Sequence, residues 1–239
     1  MRYREKIYRD YEKTSRWTAF RVKIDTTDLL IRARFDLSGK TGSIVRRLRN
    51  DLLDHISRNE SFLTSLTPLP CEEGCPEIAA LMHRAAEKAG VGPMAAVAGA
   101  IAEITGRELL SDTTEIIVEN GGDIWLSVIE PVTIKIFSGN GHFADSLSLR
   151  IMPDRTPCGI CTSSGRMGHS LSFGKADTAT VISPDAALAD AVATETCNRV
   201  TGEESLTPAL EYAMGVEEIS GVVIVYRDKL AAQGQIEFT

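Results

Sequence analysis

The sequence predicts an α+β fold in which antiparallel sheets pack against helices. Two observations lead there. Strand-like segments alternate apolar and polar residues with period two and come joined by short turns, as hairpins do. Segments with helical periodicity fall in separate blocks, which argues against a doubly wound parallel sheet. No low-complexity linker and no fixed-period repeat interrupts the chain, so residues 1–239 are read as one domain. A chain of that length can bury a sizeable core.

The first ten residues read as a strand or a surface arm. Residues 18–35 read as a hairpin. Phe20, Val22 and Ile24 alternate with polar neighbours, Asp25-Thr26-Thr27-Asp28 supplies turn chemistry, and Leu29, Ile31, Ala33 and Phe35 alternate again. Period two on both sides implies a sheet with one buried face. Gly39-Lys40-Thr41 suggests a phosphate-binding P-loop, but that pattern needs a glycine five residues earlier and Arg34 stands there. The segment reads instead as the start of a helix capped by Ser43. Ile44, Val45, Leu48, Leu52 and Ile56 form its apolar stripe, and His55 beside them reads as structural. Residues 66–76, with three prolines and two cysteines, are a connecting loop. Pro76 suits the first turn of a helix to about Lys88, and Gly90 suits its end. His83 on that helix reads as a surface or boundary residue. Residues 90–93 are a loop, and the small-residue run that follows is a helix in close contact with a neighbour or a ligand.

Residues 115–118 read as a strand, Asn120-Gly121-Gly122-Asp123 as a strong turn signal, and residues 124–129 as the returning strand. Residues 131–137 and 147–151 are further strands. The turn Ser138-Gly139-Asn140-Gly141 lies between them, with His142 exposed beside it. Residues 176–182 are strand-like. Ser183-Pro184-Asp185 then suits a helix start, with Ser183 as cap, Pro184 at the first helical position and an acid in the first turn. That helix continues to Arg199. Residues 206–214 are a short helix, residues 220–226 a buried strand and residues 234–238 a last, edge-like strand.

Composition limits the function. The chain is 43% hydrophobic and 25% charged, with a net charge of -7. That balance argues against generic affinity for nucleic acid or anionic membrane, which needs a basic surface. It leaves room for a phosphate held locally by loop amides and a metal ion. The amino-terminal stretch MRYREKIYRDYEKTSRW is too charged for a signal peptide, and no run approaches the ~20 apolar residues of a membrane helix. The expected location is the cytoplasm. Five cysteines, an odd number, do not suggest a secreted disulfide scaffold. Cys71, Cys75, Cys158 and Cys161 could supply four zinc ligands, although their separation is far larger than in compact zinc modules.

The chemistry is expected in residues 159–194. Thr162-Ser163-Ser164-Gly165 offers hydroxyls and amides in a loop, which can bind phosphate or a ring edge and can also be simply a loop. His169 between Gly168 and Ser170 is a candidate acid, base or phosphate donor, or a structural residue. Asp190 and Thr194 are four apart on a helix, so both oxygens face one side. This hard oxygen pair suits Mg²⁺. The same spacing also suits a solvated aspartate and a packed threonine.

Four segments, in order, resemble the ApbE family of flavin transferases, which move FMN from FAD onto a protein threonine. Val97-Ala98-Gly99-Ala100-Ile101-Ala102-Glu103 is similar to the family's Gly-Ala-Ile-Ala-Lys-Gly segment. Asn120-Gly121-Gly122-Asp123-Ile124 resembles its Asn-x-Gly-Gly-Asn/Asp-Ile turn. Thr162-Ser163-Ser164-Gly165 with His169 resembles its Thr-Ser-Gly…His loop, and Ala189-Asp190-Ala191-Val192-Ala193-Thr194 its Ala-Asp-Ala-Leu-Ala-Thr motif. The likeness covers roughly residues 90–200. It implies an ApbE-like fold and Mg²⁺ held by the Asp190 carboxylate, the Thr194 hydroxyl and the main-chain oxygen of Ala100. It also implies that Asn120, Gly121, Gly122 and Asp123, with Thr162, Ser163, Ser164 and Gly165, touch the flavin nucleotide. The chain departs from the pattern at Glu103, where the family has lysine, at Ile104, where it has glycine, and in a shortened stretch at residues 170–174.

Two functions follow as expectations. One is a Mg²⁺-dependent enzyme that transfers FMN or cleaves FAD, with His169 as acid or base. The other is a non-catalytic store, sensor or chaperone for a flavin or another phosphorylated metabolite. A weaker third idea is a redox or metal site at Cys158 and Cys161. The expected partner is a flavin nucleotide; an acceptor protein and a homo-oligomeric state stay open.

Overall fold

The computed structural model describes residues 16–138, 143, 147–165 and 174–239. The expectations for residues 1–10, for most of the 138–141 turn, for His142 and for His169 lie outside the described residues.

The strands run in order β1 (Thr18–Ile24), β2 (Thr27–Ala33), β3 (Ile116–Asn120), β4 (Asp123–Ser127), β5 (Val132–Lys135), β6 (Ser148–Ile151), β7 (Cys158–Ser163), β8 (Thr178–Ser183), β9 (Gly221–Tyr226) and β10 (Lys229–Gly234). Eight of them form one sheet, ordered β1-β2-β3-β4-β7-β8-β9-β10, and β5 pairs with β6 separately. Every neighbouring pair is antiparallel. The helices are α1 (Ser38–Arg58), α2 (Ser61–Thr64), α3 (Glu77–Ala89), α4 (Val97–Leu109), α5 (Ala186–Arg199) and α6 (Leu206–Gly215). The fold is α+β.

Period-two alternation sorts the large sheet into two faces. Ile31, Val118, Trp125, Cys161, Val181 and Ile224 belong to the core shared with the helices. Their strand neighbours Ile117, Leu126, Ile160, Ile182 and Val223 belong to a second core with Ile134 and Leu149 of the β5–β6 hairpin. The layers are therefore helices, large sheet and small hairpin. Because β8 and β9 are covered on both faces, all their residues are buried.

Several boundaries differ from the sequence reading. The first turn is only Asp25-Thr26, with Asp25 at φ 50°, and Phe35 lies beyond β2 and is exposed. Helix α1 starts at Ser38, not at Ser43. The Asp36 carboxylate accepts from the Ser38 N–H at 2.8 Å, and the Ser43 hydroxyl donates to Gly39 O inside the helix. Ser183 ends β8; the cap of α5 is Asp185, whose Oδ1 accepts from the Leu188 N–H at 2.8 Å. The edge strand is Lys229–Gly234, not residues 234–238. His83 is buried, because its Nδ1 pairs with Leu69 O at 2.9 Å and its ring packs edge-on to Phe62.

Helices α4 and α5 cap each other. The first amides of a helix have no intrahelical acceptor and carry partial positive charge. Here the Gly99 N–H, in the first turn of α4, donates to Asp190 Oδ2 of α5 at 2.9 Å. The Ala186 N–H, opening α5, donates to Glu103 Oε2 of α4 at 2.7 Å. The approach requires glycine: a Cβ on Gly99 would lie 2.2 Å from Ala186 O and 2.9 Å from Asp190 Cβ. One helical turn after Glu103, Gly106 leaves room for the Trp125 ring.

Two predictions follow from this packing. Gly106→Ala puts a Cβ 2.1 Å from Trp125 Cε3. The crowding outweighs the gain of about 1 kcal/mol in helix propensity, and thermal denaturation is expected to show a fall of roughly 2–10 °C. An unchanged or raised midpoint contradicts the packing. Glu103 is held at about 7, above its ordinary 4.5, first by burial and next by the charge of Asp185, against the amide of Ala186, the charge of Arg107 and the amide of Ala187. A raised folded pKa means that the folded chain holds this proton more tightly than the unfolded one. Its stabilisation is complete below 4.5 and lost as pH rises through about 7. Wild type should lose stability relative to Glu103→Gln across that window, by on the order of 3 kcal/mol at most. Denaturation of both proteins between pH 4.5 and 8 measures it, and a constant difference counts against the assignment.

Candidate functional site

The mutual capping fixes Asp190 at one end of the sheet. Asp190 and Thr194 are each 9% exposed, one turn apart on α5. The solvated-aspartate alternative is therefore set aside for Asp190. Ala100 follows Gly99 directly in α4, so its backbone lies in the turn that receives the Asp190 carboxylate. From the sheet side, Asn120 Nδ2 donates to Ala98 O at 3.2 Å. This ties the β3–β4 turn to the same helix end.

The turn itself is a two-residue hairpin. Asn120 pairs with Asp123 across it, and Gly121 takes φ 76°, which favours glycine. Register then places Asp123 opposite Cys161 of β7. The Thr162 N–H donates to Gly122 O at 3.2 Å, and a Cβ on Gly122 would meet Thr162 O at 2.9 Å. The two segments expected to contact a nucleotide, residues 120–123 and 162–165, are thus joined backbone to backbone. Gly122 is exposed, and Asn120, Asp123, Thr162, Ser164 and Gly165 are half-buried, so this rim faces solvent.

Thr162 and Ser163 are the last residues of β7 rather than part of a free loop. The strand gives them opposite directions. The Thr162 hydroxyl meets that of Thr180 in β8 at 2.9 Å, and the buried Ser163 Oγ has no hydrogen-bond partner among the described residues. The Thr162–Thr180 contact lies on the hairpin face of the sheet, opposite the side that carries Asp190, and neither it nor the charge of Asp123 on Asp190 was singled out from the sequence. The alternation of β8 could have found Thr180. Only the β4–β7 register, which spans 37 intervening residues, brings Asp123 to Cys161 and toward Asp190.

The electrostatics are those of a buried acid beside a half-buried one. Burial pushes the Asp190 carboxyl well above the usual range, and the charge of Asp123 acts in the same direction. The amides of Gly99 and Ala98 oppose them. Among the described residues no cationic side chain acts on the Asp190 carboxyl itself. One Asp190 oxygen is taken by Gly99, but a carboxylate has about four lone-pair sites, so it can also take a cation. A hard divalent ion is the partner a buried carboxylate beside a second acid favours, and one bound there would relieve the repulsion between the acids.

The cysteines do not form a metal centre. Cys158 belongs to the core under the hairpin and Cys161 to the core under the helices, so the two thiols lie on opposite faces of the sheet. Burial raises Cys158 to about 12 and pushes Cys161 well above its ordinary value, which leaves neither a ready nucleophile. Among the described residues there is no group of three His, Cys, Asp or Glu side chains able to hold a metal. A cavity of about 280 Å³ lined by Asp154, Arg155, Thr156 and Cys158 lies at the opposite end of β7, away from these acids. No single helix among the described residues is long and apolar enough to cross a membrane.

A family model described as AbpE bacteria matches residues 9–217. A UPF0280 protein of Methanocaldococcus jannaschii is 40% identical over 228 residues, covering 92% of this chain and 92% of that protein. A UPF0280 protein of Methanopyrus kandleri is 40% identical over 224 residues, covering 91% and 90%. Among solved structures, the flavin transferase ApbE from Vibrio cholerae aligns with a TM-score of 0.61 at 15% identity, covering 91% of this chain and 96% of that one. The apo form of Pseudomonas stutzeri flavinyl transferase ApbE aligns with a TM-score of 0.55 at 13% identity, covering 91% and 93%. At such identities the likeness speaks for the fold. The family match spans most of the chain and the fold agrees with it, so this chain belongs to the AbpE bacteria family and is a divergent member of the ApbE-like group.

Proposed function

We propose that this protein binds a flavin nucleotide with Mg²⁺ and either transfers FMN from FAD or cleaves FAD. The observation that carries the proposal is the buried Asp190 carboxylate, fixed by the Gly99 amide and set near the charge of Asp123. The solved flavin transferases of the same fold support the choice of ligand.

Asp190, Thr194 and the main-chain oxygen of Ala100 would hold Mg²⁺. Bound there, the ion would neutralise pyrophosphate charge and stabilise the leaving phosphate. Asn120, Gly121, Gly122 and Asp123 would contact the nucleotide together with Thr162, Ser163, Ser164 and Gly165. Amides and hydroxyls on this half-exposed rim suit phosphate oxygens or the polar edge of a ring. Packing of the rim against α4 limits its freedom and so favours orientation of the ligand. His169 would serve as acid or base.

A second reading, a flavin-binding protein without turnover, is favoured by Glu103. Where ApbE proteins are expected to carry lysine, this carboxylate accepts the first amide of α5. It is committed to holding helices together.

The test is incubation with FAD and Mg²⁺, with and without a candidate acceptor peptide, and chromatography for FMN and AMP or flavinylated peptide. Wild type should turn over only with Mg²⁺. Asp190→Asn keeps an acceptor for the Gly99 amide and should lose on the order of 100-fold in rate, about 2.7 kcal/mol of barrier. Saturable FAD binding without product selects the second reading. Neither binding nor turnover overturns both.

A further inference from the structure

Away from the acidic end, the loop between α2 and α3 holds two thiols together. Cys71 is exposed, Cys75 is half-buried, and their sulfurs are 2.7 Å apart. The backbone is folded to keep them so. The Cys75 N–H points to Glu72 O at 3.4 Å, and Gly74 takes φ 80°, a conformation that favours glycine. Both ends of the loop are anchored. A Cβ on Gly92 would lie 1.8 Å from Ser65 O, Leu69 O pairs with His83, and Pro76 leads directly into α3. The remaining cysteines, Cys158, Cys161 and Cys197, are buried.

We infer that Cys71 and Cys75 are a thiol modification site that closes to a reversible intrachain disulfide by exchange with a low-molecular-weight disulfide. The order of attack follows from access. Burial and the contact with Cys71 raise the Cys75 thiol to about 11, so Cys71 reacts first. Its thiolate attacks one sulfur of the small disulfide. A mixed disulfide forms, the small S–S bond breaks, and one small thiolate leaves and takes up a proton. Cys75 then gives its proton to water and attacks Cys71 Sγ, expelling the second small thiol. Two protein thiols are oxidised and one small disulfide is reduced to two thiols.

The experiment treats the full chain with oxidised glutathione, blocks remaining thiols with iodoacetamide, and maps tryptic peptides by mass. Residues 59–84 contain both cysteines and no Lys or Arg before Arg84, so one peptide reports the pair. The expected result is that this peptide loses two hydrogens, resists alkylation and regains two alkylation sites after dithiothreitol, while Cys158, Cys161 and Cys197 stay thiols. Cys75→Ser should stop at glutathione on Cys71, and Cys71→Ser should leave Cys75 largely unmodified. The inference is overturned if wild type stops at the mixed disulfide, if Cys71 instead joins two chains, or if elemental analysis finds a stoichiometric metal ion whose removal is needed before either thiol reacts.

Discussion

The structure depends on two carboxylates exchanged between helices. Asp190 of α5 accepts an amide at the start of α4, and Glu103 of α4 accepts the amide that opens α5. Each helix start would otherwise leave buried donors unsatisfied, a cost of about 1–3 kcal/mol per group. The arrangement works only at close range, and small residues provide that range. Gly99 meets Ala186 from one side, and Gly159 of β7 meets it from the other, where a Cβ would lie 2.4 Å from Ala186 Cα. A helix pair, a strand and a buried carboxylate are therefore fixed by the same contacts.

That arrangement also sets the electrostatics. Asp190 is held in a buried position by amide dipoles, while Asp123 arrives from the sheet through its pairing with Cys161. Two acids meeting in a low-dielectric corner raise the free energy of the ionised pair. A protein keeps such an arrangement at a cost to stability, and these arrangements gather at functional sites. The sheet supplies the rest of the rim by register: β3 and β4 present the 120–123 turn, and β7 brings Thr162 against it. None of these groups is adjacent in sequence to Asp190.

Much of this was legible in the sequence. Period-two alternation marked β1 and β2, the Asn-Gly-Gly-Asp turn signal marked β3 and β4, and Pro76 with Gly90 bracketed α3. The spacing of Asp190 and Thr194 marked one helical face. Signals that depend on a partner were not legible. Ser183 looked like a cap because Ser-Pro-Asp suits a helix start, yet pairing of β8 with β7 extends the strand through Ser183 and passes the cap to Asp185. Thr162 and Ser163 looked like a polar loop because hydroxyls say nothing about the neighbouring strand. His83 looked peripheral because its acceptor, Leu69 O, lies in an irregular loop with no periodicity to read. Glu103 stood out as a departure from the ApbE pattern, and its reason is visible only once α5 lies alongside it.

The central claim is that the Asp190 end of α4 and α5 holds a divalent cation for a flavin nucleotide. The most direct measurement is an anomalous difference map from crystals grown with FAD and Mn²⁺ standing in for Mg²⁺. The account predicts a peak bonded to the Asp190 carboxylate, with Thr194 and the Ala100 main-chain oxygen around it and the nucleotide phosphates completing the shell. A saturated crystal with bound nucleotide and no peak at Asp190, or with its only peak elsewhere, would contradict it.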